Sequence, residues 1–200
     1  MSLESNNGRQ IHTYTARLAF RNKKSLVVVP IESTVQPLEI PLADGGEAFW
    51  LDSRTIAHAV KNSKSEVLDL YALSINFVRG NTALAASEVP TFVGSFPTDT
   101  ATNFHYTLST GQLVFSDYVW SDGNLTSVKE QDDAWENRGN TALVYDETYE
   151  RHWDHWITPK RSKLFSVKLT IDPDRKWHLG EEFVNTIKIA NHVRKLYLSL

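Results

Sequence analysis

Apolar and aromatic residues fall along this 200-residue chain in short runs, not at helical spacing. Val, Leu, Ile and Thr beside aromatic rings suit a pleated, half-buried surface. The pattern predicts strands at Thr15–Phe20, Ser25–Val29, Glu47–Leu51, Thr55–Val60, Val67–Leu73, Asn103–Thr107, Gln112–Trp120, Thr141–Asp146 and Lys163–Thr170. Turn-forming stretches separate them, among them Asp44-Gly45-Gly46, Asp52-Ser53, Ser109-Thr110-Gly111 and Ser121-Asp122-Gly123-Asn124. Gly, Asn and Asp tolerate the positive φ that tight hairpins require. Helical spacing is confined to Val128–Asn137, Glu147–Trp156 and Glu181–Leu198. The expected class is all-β with short helical insertions.

Weak internal echoes run through the strands. Leu70-Tyr71-Ala72-Leu73 is similar to Leu164-Phe165-Ser166-Val167, 94 positions later, which divides into two units of 47. A second echo links Arg17-Leu18-Ala19-Phe20, Thr55-Ile56-Ala57-His58 and Gln112-Leu113-Val114-Phe115. Strand groups recurring at about 40–50 residues are the mark of β-propeller blades. A β-sandwich accounts for the same strand content by a different closure.

Composition narrows the field. Hydrophobic types make up 41% and charged types 22% of the chain, enough apolar material for a folded core. A net charge of −3 lacks the basic excess expected of a nucleic-acid-binding domain. With no cysteine, disulfides, thiolate metal sites and a cysteine nucleophile are excluded. The longest apolar stretch, Leu26 to Pro30, is far too short for a membrane span. Residues 1–10 are polar, with no hydrophobic segment of a secretion signal.

Candidate chemistry is sparse. The chain contains no G-x-S-x-G; its nearest approach, Gly94-Ser95-Phe96-Pro97, lacks the strand–turn–helix setting. No glycine-rich phosphate loop is present, and no cofactor is expected. His152 and His155 have the spacing of two ligands on one helical turn, with Asp154 or Glu150 to add an oxygen. A packed structural corner explains the same residues better, and no metal is assigned. The carboxylates of Glu130-Gln131-Asp132-Asp133-Ala134-Trp135-Glu136 read as a solvated loop or helix start in preference to an acid/base or ammonium site. Asn124-Leu125-Thr126 is the one glycosylation sequon, which matters if the parent protein enters the secretory pathway.

The stretch Tyr145-Asp146 through Arg151-His152-Trp153-Asp154-His155-Trp156, followed by Lys163-Leu164-Phe165-Ser166-Val167, carries a resemblance. It resembles the N-terminal propeller of fungal dipeptidyl-peptidase V and its acylaminoacyl-peptidase relatives, in the prolyl oligopeptidase family of serine peptidases. The similarity runs from about Pro37 to Lys188 and includes Trp50-Leu51-Asp52-Ser53-Arg54 before a strand. It implies an incomplete propeller of about four blades over residues 1–188, a divergent tail over 189–200, and a C-terminal α/β-hydrolase domain that this chain lacks. On that reading no catalytic residue lies here. Arg151, His152, Trp153 and Asp154 would help to position the N-terminus of a peptide substrate, or hold a loop as a charge pair packed between rings. The partners implied are the peptide and the missing hydrolase domain, and unclosed sheet edges would favour association of the fragment. The resemblance also implies secretion, although the chain shows no signal. The alternative is a non-enzymatic propeller that binds peptides or proteins, and a weaker one a metal-dependent hydrolase built on His152 and His155.

Overall fold

The computed structural model describes residues 3–6, 9–18, 23–30, 35–41, 46–78, 83–139 and 159–187, with side chains from residue 25 onward. Three antiparallel sheets form, and none closes on itself. The first is a meander of β1 (Leu3–Asn6), β2 (Arg9–Leu18), β3 (Lys23–Pro30) and β4 (Leu38–Pro41). The second runs β5 (Ala48–Trp50), β6 (Thr55–Asn62), β7 (Val67–Val78) and β8 (Ala83–Ala86), with β9 (Thr91–Phe96) returning to β7. The third runs β10 (Thr102–Thr107), β11 (Gln112–Val119), β12 (Arg161–Ile171) and β13 (Trp177–Leu179), with β14 (Val184–Asn185) returning to β12. Among the described residues one helix, α1 (Val128–Glu136), lies between β11 and β12. Among the described residues no helix is long and apolar enough to cross a membrane.

The all-β expectation holds, and the second and third sheets are copies of one plan. In the second, Thr55, Ile56, Ala57 and His58 face Ser74, Leu73, Ala72 and Tyr71. In the third, Gln112, Leu113, Val114 and Phe115 face Lys168, Val167, Ser166 and Phe165. The two sequence echoes are therefore the two facing strands of a single repeated ladder. The fourth strand is split in both copies. β7 pairs with β9 through Leu68–Ala72 and with β8 through Ile75–Val78. β12 pairs with β14 through Phe165 and Ser166 and with β13 through Leu169–Ile171.

The repeat length needs correction. The 94-residue spacing is one step between neighbouring sheets, not two units of 47. β6 and β11 are offset by 57 residues, and the remaining 37 are the excess length of the β11–β12 connection over the β6–β7 turn. This insertion is why the described residues make three sheets where about four were expected. The Arg17 echo also fails as an equivalence. Arg17 and Leu18 close the far end of β2 against Lys24 and Lys23, whereas Thr55 begins β6.

Burial follows the stacking. The second sheet is covered on both faces, so β6 buries five consecutive residues, Thr55 to Ala59. Ile56, Leu73 and Ile75 pack with Leu26, Val28 and Ile40 of the first sheet. Ala57, Ala59 and Ala72 meet Phe104, Phe115 and Phe165 of the third, small residues receiving large rings. Rings of Phe96, Phe104, Phe115 and Phe165 lie 5.0–5.9 Å apart in sequence along this seam. β11 instead alternates, with Leu113, Phe115, Asp117 and Val119 inward. Its other face, which corresponds to the covered face of the second sheet, carries Tyr118 at 52% and Leu164 of β12 at 41% exposure.

Expected turns form where glycine permits them. Gly111, at φ 67°, donates to the Thr107 carbonyl and closes the β10–β11 hairpin. The helix expected over Glu181–Leu198 does not begin at Glu181, because Val184 and Asn185 pair with β12 as β14. The strand at Thr141–Asp146, the helix at Glu147–Trp156 and the tail at 189–200 lie outside the described residues.

Candidate functional site

The block Arg151-His152-Trp153-Asp154, with His155, falls in the β11–β12 connection and outside the described residues. What is described of that connection is a turn, α1 and the return at Lys160. The turn is built by polar side chains. Asp122 accepts from the Asn124 N–H at 3.2 Å, from the Ser127 hydroxyl at 2.8 Å and from the Gln131 amide at 2.9 Å. Ser127, just before the helix, also accepts from Gln131 at 2.7 Å, which fixes the first turn of α1.

The carboxylate run lies wholly on α1, and the key member is structural. Asp132 accepts from the Trp120 indole N–H at 3.0 Å and from the Lys160 ammonium at 2.8 Å. Both partners lie at the two ends of the long connection, so one carboxylate joins its departure from β11 to its return to β12. Trp120 also packs on Trp135 at 5.4 Å, and the Arg138 guanidinium sits 4.1 Å above the Trp135 ring. The result is a collar of side chains that joins the two described ends of the connection.

Beside this collar is a cavity of about 190 Å³, walled by Glu66, Thr98, Asp99, Lys129, Asp132 and Lys160. Ion pairs already join Lys61 to Asp99, Lys129 to Glu66 and Lys160 to Asp132. With Asp133 and Glu136 also in the wall, five carboxylates meet the two ammonium groups of Lys129 and Lys160, so the lining stays net acidic.

Behind the cavity wall is Asp117, an inward-facing position on β11 and almost fully buried. Its carboxylate accepts from the Thr98 hydroxyl, from the Thr100 hydroxyl at 2.6 Å and from the Tyr118 N–H at 2.7 Å. Burial pushes its carboxyl above the usual carboxylate range, and the hydrogen bonds and Lys160 oppose that push. Thr98 and Thr100 belong to the link between β9 and β10, so Asp117 pins the crossing from the second sheet to the third. Sequence reasoning missed it. The available signal was an Asp at an inward position of an otherwise apolar alternation.

The remaining candidates are placed plainly. Asn124 is exposed, and its Oδ1 accepts from the Thr126 N–H at 3.1 Å and the Thr126 hydroxyl at 3.0 Å. Ser95, in the nearest approach to a nucleophile elbow, lies inside β9 and donates to Asp69 at 2.6 Å. Asp69 also accepts from Asn62 at 2.9 Å, so this pair braces three strands of the second sheet. No group of three or more metal-ligating side chains occurs among the described residues. No known protein family, curated protein or solved structure matches the chain.

Proposed function

We propose that this chain is a set of propeller blades from a serine exopeptidase similar to dipeptidyl-peptidase V, serving to gate and orient peptides for a hydrolase domain outside these residues. The observation that carries the reading is the repeat. Two consecutive four-stranded meanders share one pairing register and one split fourth strand, and each stacks the same face on the sheet before it. That is how propeller blades follow one another. The exposed apolar positions of the third sheet are then the seat of the next blade.

The long β11–β12 connection supplies the functional half of the reading. It replaces a four-residue turn of the second sheet, leaves the stack beside the 190 Å³ cavity, and contains Arg151, His152, Trp153 and Asp154. Asp132 joins the described ends of that connection, Trp120 and Lys160, so its departure from the third sheet and its return lie side by side. Arg151 and Asp154 would there contact the free end of a peptide. Secretion and glycosylation at Asn124 belong to the same reading and rest on the resemblance alone.

Sequencing the transcript past the codon for Leu200 tests the assignment. Further strand repeats followed by a G-x-S-x-G are expected. A stop codon with neither would overturn it and favour a self-standing binding module.

A further inference from the structure

The two ends of the sheet stack differ, and each leaves an apolar row with no sheet against it among the described residues. In the first sheet, Leu26 and Val28 of β3 point into the seam with the second. Side chains alternate along a strand, so the half-buried Val27 and Val29 stand on the other face, with Glu39 of β4 beside Val27 in the ladder. β3 is the third strand of its meander, as β7 and β12 are of theirs. On β7 the corresponding row is Leu73 and Ile75, on β12 it is Phe165 and Val167, and each packs on the sheet before it. Val27 and Val29 form that row where no described sheet precedes. At the other end, Val114, Ser116, Ser166 and Leu164 hold the places of Ala57, Ala59, Ala72 and Leu70, the bed that receives the rings of the third sheet. One end thus presents a row that inserts, and the other a bed that receives.

The outer strands keep the sheets in one sense. Gln36, leading into β4, bridges to Ala83 of β8, and Gly94 of β9 meets Leu179 of β13. Copies joined through unlike ends form a ring if the rotation closes, and an open filament if it does not. Propellers close at about four to eight sheets. The three sheets of one chain fall short of that range and three chains exceed it, whereas two chains supply six. We propose that two copies of this chain join head to tail, the third sheet of each seated on the first sheet of the other, and close a ring of six sheets. Charge favours this pairing of ends, since exposed Glu39 lies on the first-sheet face and exposed Lys168 on the third. This closure rests on the blade reading of the sheets and uses neither the peptidase assignment nor residues 140–158.

The test is sedimentation velocity of the full chain over a range of about 1–200 μM. The mass should rise from the 22.7 kDa of one chain and level off at two chains. Two variants spoil the first-sheet face, Val27→Lys at its centre and Glu39→Lys at an exposed position where the fold tolerates the change. Val27→Lys should raise the dimer dissociation constant at least about tenfold, and Glu39→Lys at least about threefold, each with the circular dichroism of the parent. Mixed in equal amounts, Val27→Lys and Tyr118→Lys each keep the face that the other has lost, so the mixture should associate more tightly than either variant alone. Growth past two chains, a single chain throughout the range, or no recovery in the mixture would overturn the proposal. So would a dimer that both first-sheet variants leave unchanged, since the third-sheet face would then be pairing with itself. None of these masses bears on the coding sequence past Leu200, which decides the peptidase reading separately.

Discussion

Single residues decide how closely the sheets approach. Gly94 of β9 lies where β13 crosses, and a Cβ at that position would stand 2.6 Å from the Leu179 Cβ. No side chain fits there without moving a sheet, so Gly94→Ala should destabilise the fold by about 1–3 kcal/mol, read as a lowered urea midpoint. His58 poses the opposite problem, a polar ring held where its Nε2 finds no hydrogen-bond partner among the described residues. The position it occupies in the second sheet is that of Phe115 in the third, where an apolar ring is fully buried. Burial holds the imidazole below its ordinary pKa of 6.5, so the folded state resists a proton that the unfolded chain accepts. His58 therefore contributes no pH-dependent penalty above 6.5, and the fold loses stability as pH falls below it. His58→Leu should flatten that acid limb when urea midpoints are compared at about pH 7 and about pH 5. An unchanged slope would show that His58 is not the group responsible.

At the scale of elements, the link between the second and third sheets depends on Asp117. Asp117→Ala strands the Thr98 and Thr100 hydroxyls and the Tyr118 N–H, and a loss of roughly 2–3 kcal/mol in unfolding free energy is expected. Its pH sense is the reverse of that of His58. A carboxyl raised above 3.8 keeps its proton longer in the folded state, so this residue's contribution falls as pH rises through that interval. The Asp117→Ala variant should lack that component, which a pH series of midpoints from about 4 to about 6 resolves. The elements legible in the sequence were those whose burial leaves a local trace. β6, β7, β11 and β12 are long, central and rich in branched or aromatic residues, and their echoes proved to be facing strands of one ladder. α1 was legible too, within one residue at its end. The strands β4, β8, β13 and β14 were not, because each has only two to four residues, too few to show an alternating pattern. β9 was missed because Gly94 interrupts its apolar run, and the reason for that glycine is the approach of Leu179. Asp132 was visible only as one acid among several. Its role depends on Trp120 and Lys160, which the fold brings together from the two ends of the insertion.

For the whole molecule, the same stacking that makes the second sheet a core leaves the outer face of the third with no sheet against it among the described residues. Val114 occupies the place that Ala57 holds in the second sheet, where the third sheet covers it. Around it, Tyr118 and Leu164 are 52% and 41% exposed, and Val184 of β14 lies beside Ser166 on the same side. A sheet face of this kind, with its unpaired strand edges, is a site for association with another chain. The isolated protein should therefore self-associate, with a sedimentation or light-scattering mass that rises with concentration. Charging the face without touching the inward residues separates this cause from misfolding. The double variant Tyr118→Lys and Leu164→Lys places two ammonium groups at positions already open to water, so the fold should survive with unchanged circular dichroism. Its mass should then fall towards that of one chain. A parent that is monomeric at every concentration would mean that this face is covered already, and the stack would be closed by residues beyond those described.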